Sequence, residues 1–204
     1  MKKNLILSTY ALIFFGLIQI ELKAEPVIIQ PGMPGSASKI INALTAIDIA
    51  DTSYTFDDVV FLQQMIPHHQ QANQLSMLAH DRTNSVLIIN LAKKIESSQR
   101  DEILFMKEWL SSRGESHNFD MSVDHMRMMG MATKDDIEEL SNLNSVNFDE
   151  FFLRLMINHH QGAIKMVDQL QNQSGSTFDQ VLNDFVTDLD NDQSIEIERM
   201  NALL

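Results

Sequence analysis

The feature that most constrains this chain is an internal repeat: FLQQMIPHHQQA at Phe61–Ala72 returns as FLRLMINHHQGA at Phe152–Ala163. A segment that recurs with its polar residues in the same register is expected to fold the same way twice. Each copy sets a methionine three residues ahead of a His–His pair: Met65 before His68 and His69, and Met156 before His159 and His160. Residues three and four apart share a helix face, so each copy on a helix presents a thioether and an imidazole together. Adjacent residues diverge by about 100° around a helix. Both imidazoles of a pair therefore reach one site only from the edge of that face, and all four histidines stand as candidate ligands, unranked.

The pattern around the repeat is helical. Phe61, Leu62, Met65, His69, Ala72 and Ser76 recur at helical spacing behind a Thr55/Asp58 capping-box signature, which predicts a helix over Phe56–His80. Pro67 inside it frees the carbonyl of Gln63, whereas the second copy has Asn158 at that place. A second helix is predicted over Ser85–Ser112, stopped by Gly114 and antiparallel to the first. Thr133 with Asp136 starts a short helix to Leu143, Asn147 with Glu150 a third long helix to Asn172, and Thr177 with Gln180 a fourth to the last residue. QRDEILFMKEWL at Gln99–Leu110 matches QSIEIERMNALL at Gln193–Leu204 at its Gln, Glu, Met and final Leu. The expected fold is therefore all-α: two repeated helical hairpins forming a bundle over residues 55–204, joined by a Met- and His-rich linker at 114–133.

Ahead of the bundle, Lys2 and Lys3 precede an apolar run from Leu5 to Ile20, and Leu22–Lys23–Ala24 ends in a small residue. These mark residues 1–24 as a signal peptide, with an uncleaved membrane anchor as the alternative. Pro26, Pro31, Gly32, Pro34 and Gly35 predict an extended, flexible leader over 25–54, with a weak helical pattern only at Ser38–Ile49. Without residues 1–24 the chain keeps 12 basic and 27 acidic residues, a net charge of −15. That charge argues against nucleic acid or anionic membrane as partners and is compatible with attracting cations. Cysteine is absent, so any soft metal ligand has to be methionine.

Thioether and imidazole together suit copper above other ions. Carboxylate-bridged iron bundles need Glu-x-x-His on two helices, and this chain has Met65-x-x-His68, Met77-x-x-His80 and Met156-x-x-His159 instead. Gln99, Glu102 and Met106 share a face, as do Gln193, Glu196 and Met200. Two roles are open for these trios. Either Glu102 and Glu196 accept the free imidazole N–H and fix its tautomer, or the methionines fill the core and the carboxylates form a solvated edge. Between the hairpins, Asp120–Met131 holds Met121, His125, Met126, Met128, Met129 and Met131, with His117 just before it. Its flanking Asp, Arg and Gly residues argue against a buried apolar helix and for an exposed cluster of soft ligands.

Taken together, MIPHHQQA, LAKKIESSQRDEILFMKEWL, the Met-Gly-Met of Met129–Met131, FDEFFLRLMINHHQGAIKM and QSIEIERMNALL resemble the bacterial domain of unknown function 305, over about Asp57–Leu204. Its members include CopM-like periplasmic copper-binding proteins. The resemblance implies a ferritin-like bundle that binds copper for resistance or delivery. It points by position to Met65, His68, His69, Met156, His159, His160, Met166 and the linker methionines Met126, Met128, Met129 and Met131 with His125. The methionine seven residues after the first histidine is present as Met166 in the second copy, while the first has Leu75, with Met77 two positions on.

The expectation is an exported protein, periplasmic or secreted, that sequesters or transfers copper, Cu(I) preferred with some Cu(II) capacity. Its partners would be metal ions and other copper-handling proteins of the envelope. Zn(II) and Ni(II) are weaker rivals because neither explains the methionines. No nucleophile–base or acid–base carboxylate pair is evident, so turnover is not expected. Two other classes stand beside this: a metal-dependent redox enzyme on the same bundle, and an adaptor bundle whose histidines only pack.

Overall fold

The computed structural model describes residues 27–32, 35–50, 54–119 and 122–204. The expected signal peptide, Met121 and the side chain of His125 lie outside the described residues. Within them the chain is predominantly helical, with seven helices and one two-stranded sheet, in two compact units divided after Ile49. In the first unit β1 (Ile28–Gln30) pairs antiparallel with β2 (Lys39–Ile41), Ile28 opposite Ile41. β-branched residues on both sides of a Pro- and Gly-rich turn favour such a hairpin, and Gly35 takes the positive φ of 87° there. Helix α1 (Ala43–Ala50) follows, its start capped by Asn42, whose Oδ1 accepts from the Thr45 amide at 2.8 Å.

The second unit contains α2 (Phe56–Arg82), α3 (Val86–Ser112), α4 (Val123–Met128), α5 (Lys134–Asn142), α6 (Ser145–Gln171) and α7 (Gln180–Asn201). Helix α2 packs on α3, α6 on α7, and α2 on α6, so the two repeat helices form the central pair. The capping boxes at Thr55/Asp58 and Thr133/Asp136 are both formed. Asp58 does more than cap: Oδ2 accepts from the Thr55 amide at 2.7 Å, and Oδ1 accepts from the Thr177 amide at 2.9 Å.

Two expected helix starts are displaced. Helix α6 begins at Ser145 rather than at Asn147, without a side-chain cap, because the fully buried Phe148 fixes the first turn and its amide donates to the Asn144 carbonyl. Thr177 cannot cap α7, since its amide is held by Asp58 in a left-handed conformation (φ 58°). Asp179 caps instead, accepting from the Leu182 amide at 2.9 Å.

The apolar interior falls into two clusters. One takes Val59–Ile66 of α2, Ile103–Leu110 of α3, Met166–Leu170 of α6 and Leu182–Leu189 of α7, with Met129 and Met131. The other takes Ala72–Ala79, Ile88–Ile95, Phe148–Met156 and Met200. Each long helix therefore crosses from one cluster to the other, and neighbours cross in opposite directions. At the crossing point each helix carries buried polar residues: His68 and His69, Gln99, His159 and His160, Gln193 and Glu196.

Asp58→Ala is expected to cost about 3 kcal/mol, since it removes one arm of the capping box and strands the Thr55 and Thr177 amides. Urea denaturation of the variant should show a lowered midpoint with an unchanged slope.

Candidate metal centre

The four histidines have no exposed surface. Along α2 and α6 they come into contact in a definite order. The rings of His69 and His68 lie 6.1 Å apart, those of His68 and His159 face each other at 3.7 Å, and His159 and His160 are again 6.1 Å apart. The outer helices supply a carboxylate at each end: Glu102 of α3 on His69, and Glu196 of α7 on His160 at 2.9 Å. The chain of contacts thus runs Glu102, His69, His68, His159, His160, Glu196, with the two repeats meeting at its middle.

Hydrogen bonding places a proton on Nε2 of three of the rings. A carbonyl only accepts, so the Nε2 of His68, 3.0 Å from the Met129 carbonyl, carries the proton. Carboxylates opposite the Nε2 atoms of His69 and His160 require the same. The Nδ1 atoms of all four rings are buried without a partner, as is Nε2 of His159. A proton on Nδ1 of His68, His69 or His160 would have no acceptor, so each of these presents a lone pair, while His159 presents one from whichever nitrogen lacks the proton. Both side-chain atoms of Gln99 and the Oε1 of Gln193 are unpartnered beside them. Each such atom costs about 1–3 kcal/mol, and a bound cation accepts lone pairs of this kind.

Burial pushes the His68 imidazole down from 6.5 to about 3, reinforced by His69 beside it and partly opposed by the Met129 carbonyl. Burial likewise holds His159 well below its ordinary range, with His68 the next cause. Protons therefore do not compete for these two rings at neutral pH.

Thioethers border the imidazoles on both sides. Met65 and Met106 belong to one apolar cluster, Met156 and Met200 to the other, and all four are fully buried. No group of three His, Asp, Glu or Cys side chains among the described residues is gathered to hold an ion. A coordination shell built here can draw on thioether sulfur, which soft ions accept and Zn(II) does not favour.

Residues 58–204 match the domain of unknown function DUF305. The chain belongs to the DUF305 family. Solved structures bear the same fold. A DUF305 fragment from Deinococcus radiodurans is 31% identical over 74% of this chain and 96% of that one, with a TM-score of 0.68. A DUF305 protein from Streptomyces coelicolor is 28% identical over 72% and 91%, with a TM-score of 0.64. CopM in its Cu(I)-bound form is 26% identical over 74% and 96%, with a TM-score of 0.58. No curated protein matches the chain.

In this DUF305 chain the linker behaves differently from the exposed cluster its composition suggests. Met129 and Met131 are buried in the first apolar cluster, Met126 packs partly buried against it, and Met128 is exposed. Two devices bring the linker in. Gln71 clamps Ala132 through both its amide and its carbonyl (2.7 and 3.0 Å), and Asn158 donates to the Gly130 carbonyl at 3.0 Å. At the contact itself both partners are glycine: a Cβ on Gly162 would sit 1.8 Å from the Met129 carbonyl oxygen. Met128, Met129 and Met166 then line a cavity of about 140 Å³ with Gln64 and Lys165. Met166 is thus placed beside the linker rather than at the imidazoles. In the first repeat Leu75 is core and Met77 is 60% exposed, so no thioether matches Met166 there. His80 pairs with Glu96 at 3.2 Å and His117 with Ser111, both away from the centre.

The Met129 main-chain carbonyl is the functional group that side-chain motifs do not reveal. Its only sequence trace is Gly162, the residue that replaces Gln71 of the first copy.

Two outcomes follow for the metal-free protein. Unfolding lets His68 return to pKa 6.5, so the unfolded chain binds the extra proton. The stability that His68 contributes is complete above pH 6.5 and declines by about 1.4 kcal/mol per pH unit toward pH 3. Denaturant midpoints at pH 7.5 and 5 should differ accordingly, and less so in His68→Gln. Gly162→Ala should cost about 2–3 kcal/mol as the linker is forced away, with faster hydrogen exchange at the Ala132 amide.

Proposed function

We propose that this protein is an exported copper-binding protein whose four long helices work as a ferritin-like bundle, holding Cu(I) and, less tightly, Cu(II) for sequestration or transfer. The observation that carries the proposal is the set of unpartnered, fully buried Nδ1 atoms between two pairs of buried thioethers. Histidines that only pack would have their ring nitrogens satisfied, which speaks against the adaptor reading. The solved forms of CopM with Cu(I), Cu(II) and Ag bound support copper and a soft-ion preference.

His68 and His159 serve as ligands to either oxidation state, and Met65, Met156, Met106 and Met200 favour the reduced one. Glu102 and Glu196 orient His69 and His160 rather than acting on a substrate, so the function is binding without turnover. Export is supported by the signal-peptide pattern at residues 1–24 and by the provisional description of the Streptomyces coelicolor relative as secreted. No helix of the described residues is long and apolar enough to cross a membrane.

Anaerobic Cu(I) titration against a competing chelator tests this. The wild type should compete at about one ion or more per chain, and replacement of His68, His69, His159 and His160 by Ala should abolish competition. Met65→Leu with Met156→Leu should weaken Cu(I) by about tenfold or more while leaving Zn(II) affinity within threefold. A wild type that fails to compete would overturn the proposal.

A further inference from the structure

The chain of imidazoles is matched in its residues and unmatched in its ends. Glu196 is 2% exposed, and its second oxygen lies 3.9 Å from the ammonium of the half-exposed Lys94. Glu102, at the other end, is 15% exposed and pairs with no Lys or Arg among the described residues. Between them the four histidines are sealed, and the flank of His68 is covered by the linker at Met129.

A cation arriving from water therefore meets different fields at the two ends. At Glu102 an unneutralised carboxylate attracts it, and the group that this carboxylate holds, His69, carries the first free imidazole donor of the chain. At Glu196 the Lys94 ammonium repels it and already occupies part of the carboxylate. Attraction of this kind raises association rates by about tenfold or more and weakens with salt.

We propose that Glu102 is the entrance by which a soft monovalent cation reaches the buried centre, and that the Glu196 end is closed to uptake. The proposal rests on the metal-binding reading above and gives that centre a direction. The two carboxylates then have unequal tasks: both orient an imidazole, and Glu102 also sets how fast an ion arrives. Selectivity stays with the thioethers and imidazoles deeper in, because a carboxylate attracts hard and soft cations alike.

The test is anaerobic stopped-flow mixing of the full chain with tetrakis(acetonitrile)copper(I), followed by the ultraviolet band of the Cu(I)–thioether complex, with equilibrium affinity measured separately. Glu102→Gln and Glu196→Gln are near-isosteric and remove the same group from equivalent places, so their losses of affinity should be similar, about tenfold each. Their kinetics should part: Glu102→Gln slows association about tenfold and flattens its salt dependence, whereas Glu196→Gln leaves association within twofold and speeds release. Lys94→Ala, a surface change, should open the second end and raise the association rate. Equal slowing by the two Gln variants, with normal uptake by the wild type, would overturn the entrance while leaving the metal centre intact. No uptake by the wild type would overturn both.

Discussion

The structure depends on burying a polar layer through the middle of an apolar interior. Four histidines, two glutamines and a glutamate lie where each long helix passes from one hydrophobic cluster to the other. A buried imidazole N–H calls for an acceptor, and three of the four rings have one: the Glu102 and Glu196 carboxylates and the Met129 carbonyl. The remaining lone pairs are left unanswered within the protein. Apolar packing on both sides offsets that cost, and a soft cation would remove it. On the proposed function, stability and metal affinity are two faces of one arrangement.

Duplication makes the arrangement economical, and its breakdown makes it specific. The two hairpins contribute equivalent Met, His, Gln and Glu residues, yet the linker between them can lie against only one side. It caps His68 and leaves His159 with neither nitrogen partnered. The linker carbonyl of Met129 holds His68 and does not reach His159. The Gly162–Met129 contact and the Gln71 clamp are what make the halves unequal. The same inequality reappears at the ends, where Lys94 lies against one carboxylate and no Lys or Arg among the described residues pairs with the other.

Much of this was legible in the sequence because helical periodicity and repeated spacing report on faces of helices. The Phe56 start of the first long helix, its capping box and the family followed from residues alone. The Gln99/Glu102/Met106 face left two roles open, and only the folded chain shows Glu102 against His69. What sequence could not give was long-range burial. Met128 to Met131 look alike in composition, and only the seat on Gly162 separates the buried Met129 and Met131 from the exposed Met128. The α7 start was missed for a similar reason: Thr177 has the chemistry of a cap, but Asp58 of a distant helix holds its amide. The pairing of β1 with β2 lay within a segment that suggested an extended leader with a weak helical pattern at Ser38–Ile49 and no strand.

The central claim is that imidazole nitrogen and thioether sulfur close on one ion at the crossing of the two repeats. X-ray absorption at the copper edge of the Cu(I)-loaded protein measures that directly. The account predicts a first shell of mixed nitrogen and sulfur, with the sulfur contribution lost when Met65, Met106, Met156 and Met200 are all replaced by leucine. A shell of oxygen and nitrogen alone, unchanged by those replacements, would contradict it.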